Sequence, residues 1–199
     1  MILSYRDKRT ERFCRGEFVK AFQGFEEQIA RRLSILNAAP TLESLRALPS
    51  NRLEALRGDR AKHYSISNGV FASNGRTGKS DRTGLKSLTT TEDKMAAPLF
   101  KRSVHPGEVL KHELVECGVS PTEFARQIDV PPNRVSQIIS GKRAVTGDTA
   151  LRLGHWFGMD PLFWLNLQTA YEIRIASARS GDEIARLPAR RKAGGADAA

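Results

Sequence analysis

The sequence predicts a mainly α-helical protein, in which a helix-turn-helix domain follows an incomplete α/β segment and a flexible polar segment. Three observations predict this class. Residues 119–143 have the spacing of two helices joined by a tight turn. Residues 151–167 carry enough large apolar side chains to form a small helical core. The composition changes abruptly at Gly69, after which Gly, Ser and Thr dominate.

The front of the chain alternates between strand and helix patterns. Residues 1–69 predict a short strand, two helices, a loop and a second strand at His63–Ser67. Half of residues 70–91 are Gly, Ser or Thr with no apolar period, which is typical of a flexible linker. We therefore predict four parts: an α/β segment at 1–69, a linker at 70–94, a helix-turn-helix domain at 95–179 and a disordered tail at 180–199.

The first helix of the motif has clear start and stop residues. Ser120 and Glu123 have the spacing of a capping box, which predicts a helix beginning at Pro121. Ala125 is the small residue at which the two helices approach each other. Asp129 stands where glycine is common, and aspartate enters the left-handed conformation more easily than most residues do.

The second helix carries the candidate DNA-binding face. Pro131 and Pro132 end one helix and open the next, Val135 and Ile138 hold it inward, and Gly141 ends it. Outward Asn, Arg and Gln side chains are suited to base edges in the major groove, and the basic residues after the helix are suited to phosphates. The predicted DNA-binding residues are Pro132, Asn133, Arg134, Ser136, Gln137, Ser140, Lys142 and Arg143. The alternative is a helical hairpin that binds protein.

Two further helices are predicted after the motif. Thr146 can cap a helix that runs to about Phe157 and ends at Gly158, and Asp160 can cap the next, with Pro161 at its first position. Their large apolar residues predict a helical core made of Leu151, Leu153, Trp156, Phe157, Phe163, Trp164 and Leu167.

Composition excludes several classes of protein. His105 and His155 are isolated histidines without ligands at metal-binding spacing, so we expect structural roles, no metal and no cofactor. Two distant cysteines, Cys14 and Cys117, form no disulfide framework and fit a reducing cytoplasm. We expect a cytoplasmic protein, because no apolar run approaches a membrane span and no signal-peptide pattern is present.

The charge of the chain is strongly basic and unevenly distributed. The formal net charge is +10, of which +7 lies before Met95 and +3 from Met95 onward. This predicts nonspecific affinity for nucleic acid that falls with salt. In the helix-turn-helix domain, DNA binding then depends on a local patch around Arg134, Lys142 and Arg143.

The C-terminal half resembles the HigA family of antitoxins over about residues 104–178. The motifs that carry the resemblance are H-P-G-E-V-L (105–110), G-K-R-A-V-T (141–146), D-T-A-L-R-L (148–153) and F-W-L-N-L-Q (163–168). The resemblance implies a five-helix, lambda-repressor-like (XRE-type) domain. It also implies a homodimer that binds operator DNA, represses its own toxin–antitoxin operon and binds a HigB-type toxin.

The N-terminal half resembles HigB, the RelE-type toxin encoded beside HigA. The resemblance rests on the order of its elements, on the turn R-G-D-R (57–60) and on the strand after it. It stops near Gly69, where the family continues into strands of the type W-R-I-C-F and D-Y-H. That family cleaves messenger RNA on the ribosome and places catalytic side chains on those later strands. We therefore expect no catalytic residues and no enzyme activity here.

A frameshift would explain the change at Gly69. Degenerate codons for residues 69–92, read one base earlier, permit a string containing W-R-I-C-F and V-D-Y-H, then a stop. Met95 lies where an antitoxin gene would start. Our hypothesis is a truncated, frameshifted toxin gene read through into its antitoxin gene. A sheet of at most two strands would remain, too small to stand alone and with an unpaired edge.

The sequence of the whole chain is compatible with three interpretations. The first is a DNA-binding antitoxin and repressor carrying an inactive toxin remnant. The second is a fused toxin–antitoxin whose messenger-RNA endoribonuclease activity is restrained in cis, and the third is a phage-like repressor with an unrelated extension. The missing end of the toxin half favours the first, and the F-W-L-N-L-Q run opposes the third. The basic group Arg57, Arg60, Lys62 and His63 either contacts RNA or forms a solvated turn.

Overall fold

A computed structural model describes residues 8–57, 63–66, 70–73 and 104–188. In the N-terminal half, three α-helices and two 3-10 turns precede three strands, in the order α1 Lys8–Cys14, the turn Lys20–Phe22, α2 Glu26–Ala38, α3 Leu42–Arg46, the turn Pro49–Asn51, β1 Glu54–Ala55, β2 His63–Ile66 and β3 Val70–Ser73. The C-terminal half contains α4 Pro106–Glu116, α5 Pro121–Gln127, α6 Pro132–Ile139, α7 Gly147–Phe157 and α8 Leu162–Ile184.

The strands form one antiparallel sheet in the order β1-β2-β3. In its register Glu54 faces Ser65, and Ile66 faces Val70. The strand predicted at 63–67 is confirmed as β2. The prediction of a flexible segment from residue 70 is wrong at its start, and so is the limit of two strands. The reason is that Val70–Ser73 can satisfy the backbone groups on the open side of β2.

The helices of the N-terminal half number three within the described residues, where the sequence predicted two. The strand predicted at the very start of the chain lies outside the described residues, as do the remaining linker residues 74–94. The longest of these helices, α2, begins at Glu26, and its N-cap residue Phe25 provides no side-chain hydrogen bond. The third, α3, is capped by Thr41, whose side chain accepts a hydrogen bond from the Ser44 amide.

Five helices make up the C-terminal domain, as predicted. Gly158 ends α7 in the left-handed conformation at φ 67°. Asp160 caps α8 by accepting the Leu162 amide at 2.9 Å. The tail predicted from residue 180 is wrong at its start, because α8 continues to Ile184 and meets no proline before Pro188.

The capping box predicted at α5 forms only in part. The Ser120 hydroxyl accepts the Glu123 amide at 3.2 Å, which is the first half of the motif. The Glu123 carboxylate does not return to Ser120. It accepts hydrogen bonds from the side chains of Arg126 and Gln127 at 2.6 and 2.8 Å instead.

One continuous hydrophobic core draws on both halves of the chain. Helix α2 packs against α8 and α4, and the turn Pro49–Asn51 packs against α4. Phe163 and Trp164 are fully buried, as predicted. Leu151 was predicted to be a core residue but is 64% exposed, because it lies on the outer side of α7. The N-terminal segment therefore obtains from the helical domain the buried surface that its small sheet cannot provide.

Candidate nucleic-acid interface

Helix α6 presents a polar face to solvent and an apolar face to the core. Val135 and Ile138 are 1% exposed and fix the inner face. Four of the predicted side chains leave the core together and are exposed: Asn133, Ser136, Gln137 and Ser140. Pro132 opens the helix at an exposed position. This separation of faces leaves the outer side of α6 free to enter a groove of DNA.

The turn between α5 and α6 has the geometry that the sequence predicted. Ala125 is fully buried, and its carbonyl accepts the Val130 amide at 2.9 Å. Asp129 occupies the left-handed region at φ 55°. Arg152 of α7 then holds the turn from outside, donating to the carbonyls of Ile128 and Asp129 at 2.7 and 3.1 Å.

A close helix crossing sets the position of α6. A Cβ atom placed on Gly107 of α4 would lie 1.8 Å from the Ile138 carbonyl oxygen. Only glycine permits this approach, because no side chain fits in that space. Helix α4 itself begins with a capping box formed by His105 and Glu108. The His105 Nδ1 atom accepts a hydrogen bond from the Gly107 amide, and the Glu108 side chain accepts one from the His105 amide.

The end of α6 brings the two basic residues to its outer face. Gly141 adopts φ 70°, and the Lys142 amide donates to the Gln137 carbonyl at 2.8 Å. This left-handed ending satisfies carbonyls of the last turn. Lys142 and Arg143 are both exposed, and Arg143 Nη1 lies 3.4 Å from Gln137 Oε1. The end of the helix thus carries cations beside polar side chains.

Arg134 does not lie with the outward group, contrary to the prediction. Its guanidinium donates to Asp148 Oδ2 at 2.8 Å, and its side chain is 27% exposed. Asp148 also accepts from Arg152 Nε at 3.2 Å. Hydrogen bonds from Arg152 and then Arg134 lower the pKa of Asp148. Arg134 faces the first turn of α7, since Asp148 offers it a carboxylate there.

Ser136 of α6 and Ser140, which follows the last residue of the helix, keep acceptor capacity on the outer face. Ser136 donates its hydroxyl to the Pro132 carbonyl at 3.1 Å, and Ser140 donates to the Gln137 carbonyl at 3.2 Å. A hydroxyl that donates inward retains oxygen lone pairs. These residues can therefore accept hydrogen bonds from donors in a groove.

A network beside the turn connects α5 to α7. Trp156 Nε1 donates to Gln127 Oε1 at 2.8 Å, and the Gln127 amide donates to Glu123. Hydrogen bonds from Arg126 and Gln127 lower the pKa of Glu123 to about 2. Sequence reasoning missed this network and the Arg152 contact, because both join residues more than 20 positions apart and no local spacing indicates them.

The remaining predicted candidates have other positions. His105 is a buried helix cap whose pKa is lowered by burial, and His155 is exposed. Within residues 8–57, 63–66, 70–73 and 104–188, no group of His, Cys, Asp or Glu has the arrangement of a metal site. Arg57 is exposed, whereas Arg60 and Lys62 lie outside the described residues. Cys14 and Cys117 do not form a disulfide bond. No described helix has the length and apolar character to span a bilayer.

Two family models match separate parts of the chain. A model described as the RelE-like toxin of type II toxin-antitoxin system HigB matches residues 3–72. A helix-turn-helix model matches residues 110–163. The toxin-like match therefore ends at residue 72, within β3. The resemblance read from the sequence motifs ended near Gly69, three residues earlier.

Similar proteins match the C-terminal half. The chain is 43% identical to virulence-associated protein I of Dichelobacter nodosus, over 37% of this chain and 69% of that protein. It is 36% identical to antitoxin HigA-1 of Vibrio cholerae, over 37% of this chain and 70% of the antitoxin. A solved structure of Pseudomonas aeruginosa antitoxin HigA with the higBA promoter is 37% identical, covering 44% of this chain and 97% of that one, with a TM-score of 0.43. The chain thus belongs to the HigA family of helix-turn-helix antitoxins and carries a HigB-like toxin segment at its N-terminus.

Proposed function

We propose that this protein is a sequence-specific DNA-binding antitoxin that represses its own toxin–antitoxin operon. The observation that carries the proposal is the outer face of α6, where Asn133, Ser136, Gln137 and Ser140 are exposed above a buried apolar face. The membership in an antitoxin family supports it.

Some of the exposed residues contact bases, and others contact the DNA backbone. Asn133 and Gln137 carry amides, which pair with adenine through two hydrogen bonds in the major groove. Lys142 and Arg143 neutralise backbone phosphates at the end of the helix and fix its register without reading bases. Arg134 acts as a positioning residue, because its bond to Asp148 ties α6 to α7.

The test is a titration of the full chain with DNA from upstream of its gene at fixed salt. Gln137→Ala should weaken specific binding by about 1–3 kcal/mol and leave the melting temperature unchanged. Arg134→Ala should lower both the affinity and the melting temperature, since it also removes the contact to Asp148. Arg186→Ala, an exposed change two residues beyond the end of α8, is the control.

The proposal fails if the native protein binds unrelated DNA of equal length as tightly as the upstream DNA, with the same salt dependence. In that case the net charge of +10 alone would account for binding.

We propose further that two copies bind one operator through the helix-turn-helix domain. Helix-turn-helix dimers read two half-sites about one helical turn apart. Leu151 and Leu162 support pairing, since they are 64% and 53% exposed and apolar. Leu151→Lys should shift the protein toward monomer in analytical ultracentrifugation and weaken operator binding. An unchanged sedimentation profile would place the contact elsewhere or show that the protein is a monomer.

We propose that the HigB-like segment has no ribonuclease activity and that its gene lost its normal frame near codon 69. The toxin-like match that ends at residue 72 supports this proposal. Two measurements test it. Incubation with translating ribosomes should leave messenger RNA intact, and cleavage would favour the fused, restrained toxin instead. Genomic sequencing across codons 64–95 should show a single-base slip that restores a W-R-I-C-F strand.

A further inference from the structure

We propose that the face of the helix-turn-helix domain formed by α4 and α8 is a docking surface for a HigB-like chain. Glu113 is its specificity-determining residue. This protein fills the surface with its own N-terminal segment, described over residues 8–57, 63–66 and 70–73, and so excludes a separate toxin chain. The proposal rests on the proposed antitoxin function, and it adds the surface, the residue and the exclusion.

A buried carboxylate marks the centre of this surface. Glu113 of α4 is fully buried, although glutamate is rarely buried without partners. Its Oε2 accepts the Ser50 amide at 3.0 Å, and its Oε1 accepts the Ser50 hydroxyl. Both donors come from the N-terminal segment, from a turn 63 positions earlier in the chain. The helical domain therefore supplies the charge and the N-terminal segment supplies the donors.

The N-terminal segment holds those donors with a second layer of bonds. Arg32 of α2 donates to the Ser50 hydroxyl at 2.9 Å, to the Ser50 carbonyl at 3.0 Å and to Asn51 Oδ1 at 2.9 Å. Asn51 in turn donates to the Leu45 carbonyl at 2.7 Å. Ser50 thus lies between the positive Arg32 guanidinium and the Glu113 carboxylate, so the charges on the two sides of the contact are complementary.

A hydrogen bond along α8 aligns the segment. The Asn166 amide donates to the Ala38 carbonyl at 2.9 Å, where α2 ends. Arg174, further along α8, is buried as well, and burial lowers its pKa to about 10. Apolar residues of α2, α4 and α8 complete the surface within one core. These contacts resemble a specific protein–protein interface, with polar anchors inside an apolar contact.

The matches show which partner fits this surface. Every N-terminal residue that makes these contacts lies within residues 3–72, the HigB-like match. The related antitoxin HigA-1 aligns with 74 residues of this chain, about the length of the helical domain alone. In an antitoxin without such a segment, the face that carries Glu113 needs a separate chain to supply the donors. In this protein the tether keeps the segment at high effective concentration, which disfavours exchange with a second chain.

The test uses the full, folded chain with a protease site inserted at residue 85. After cutting, the two pieces of the native protein should co-elute in gel filtration. Glu113→Gln should weaken their association by about 10- to 100-fold, because it removes the charge and replaces one of the two accepting oxygens by an NH2 group that cannot accept. Ser50→Ala should weaken it in the same direction from the other side. Lys111→Gln, an exposed change on the same helix, should leave it unchanged.

The exclusion is tested by mixing with a second, tagged preparation of the cut protein. Cut, untagged protein should capture the tagged N-terminal piece, and uncut protein should capture at least tenfold less. Operator binding and circular dichroism of each variant separate loss of docking from loss of the helical fold. They also separate this proposal from DNA binding, which can fail on its own. The proposal is overturned if the native pieces part on cutting, if Glu113→Gln and Lys111→Gln behave alike, or if uncut protein exchanges as freely as cut protein.

Discussion

In the helix-turn-helix half, α4, α5 and α8 each begin at a side chain that accepts an N–H of the first turn, from His105, Ser120 and Asp160. In the N-terminal half the longest helix, α2, begins without such a cap. Its buried Arg32 is satisfied instead by a turn 18 positions away, which is itself anchored to Glu113. One half is secured mainly by local bonds, and the other depends on distant ones.

The two halves of the chain obtain their stability from different sources. Local caps and left-handed glycines define helices whatever else the chain contains, so the helix-turn-helix half has the character of an independent domain. The N-terminal segment has a short sheet and few caps, and it becomes stable by sharing the core of α4 and α8.

Removing Arg32 should break the N-terminal half and leave the other half folded. Arg32→Ala leaves the buried Glu113 carboxylate without its nearby positive charge and frees three acceptors, for an expected loss of about 3–5 kcal/mol. Urea unfolding followed by circular dichroism measures it. The matched control is Arg46→Ala, whose exposed pair with Glu43 contributes less than about 1 kcal/mol. If both changes lowered the free energy of unfolding equally, the bonds from Arg32 to Ser50 and Asn51 would not be what stabilises the N-terminal half.

Filling the helix crossing should disturb the other half selectively. Gly107→Ala places a Cβ atom 1.8 Å from the Ile138 carbonyl, so α6 must move, at a cost of about 1–3 kcal/mol. Operator affinity should fall further than stability does, since the recognition face is displaced. Gly147→Ala is the control, because its added Cβ meets nothing within 4 Å. Native operator affinity in Gly107→Ala would show that α6 is not held by this crossing.

Acid should weaken the junction between the halves. Burial lowers the pKa of His105 and of His112 below 6.5. At His105 the carboxylates of Glu108 and Glu172 oppose this lowering. At His112 the cations Arg31 and Arg32 add to the lowering, and Glu113 and Glu116 oppose it. The unfolded chain then binds more protons below about pH 6.5, so stability present above that pH is lost as the pH falls. Urea midpoints across this range measure the loss.

Variants of His105 separate its cap from its titration. His105→Ala should cost about 1 kcal/mol at neutral pH, because α4 loses its cap. His105→Asn keeps an acceptor at the cap and should flatten the pH dependence. A pH dependence identical to that of the native protein in both variants would leave His112 as the responsible group.

The smallest effect is expected at the exposed pair on α5. Arg126→Ala removes a bidentate contact to Glu123, but both partners are accessible to solvent, so the urea midpoint should not change measurably. Operator binding should also persist, because α6 is held by Val135, Ile138 and Gly107 instead. A clear loss of stability would mean that the network through Gln127 and Trp156 holds the turn in place.

Much of the helix-turn-helix half could be predicted because its determinants are local. The start of α5 at Ser120, the left-handed turns at Asp129 and Gly141, and the end of α7 at Gly158 each follow from residues within three or four positions. The outward face of α6 followed from the 3.6-residue period. These features needed no knowledge of the remaining chain, which is why the family resemblance was also visible there.

The residues of the chain alone were enough to place the start of α5, the ends of α6 and α7, most of the polar face of α6 and both family resemblances. The tertiary structure decided which buried charges meet and which faces are covered. It turned Arg134 toward Asp148, left Leu151 exposed and placed Glu113 against Ser50, 63 positions away. The physical reason is range: caps and turns are fixed by spacing along the chain, whereas a buried carboxylate takes the donors that packing brings to it.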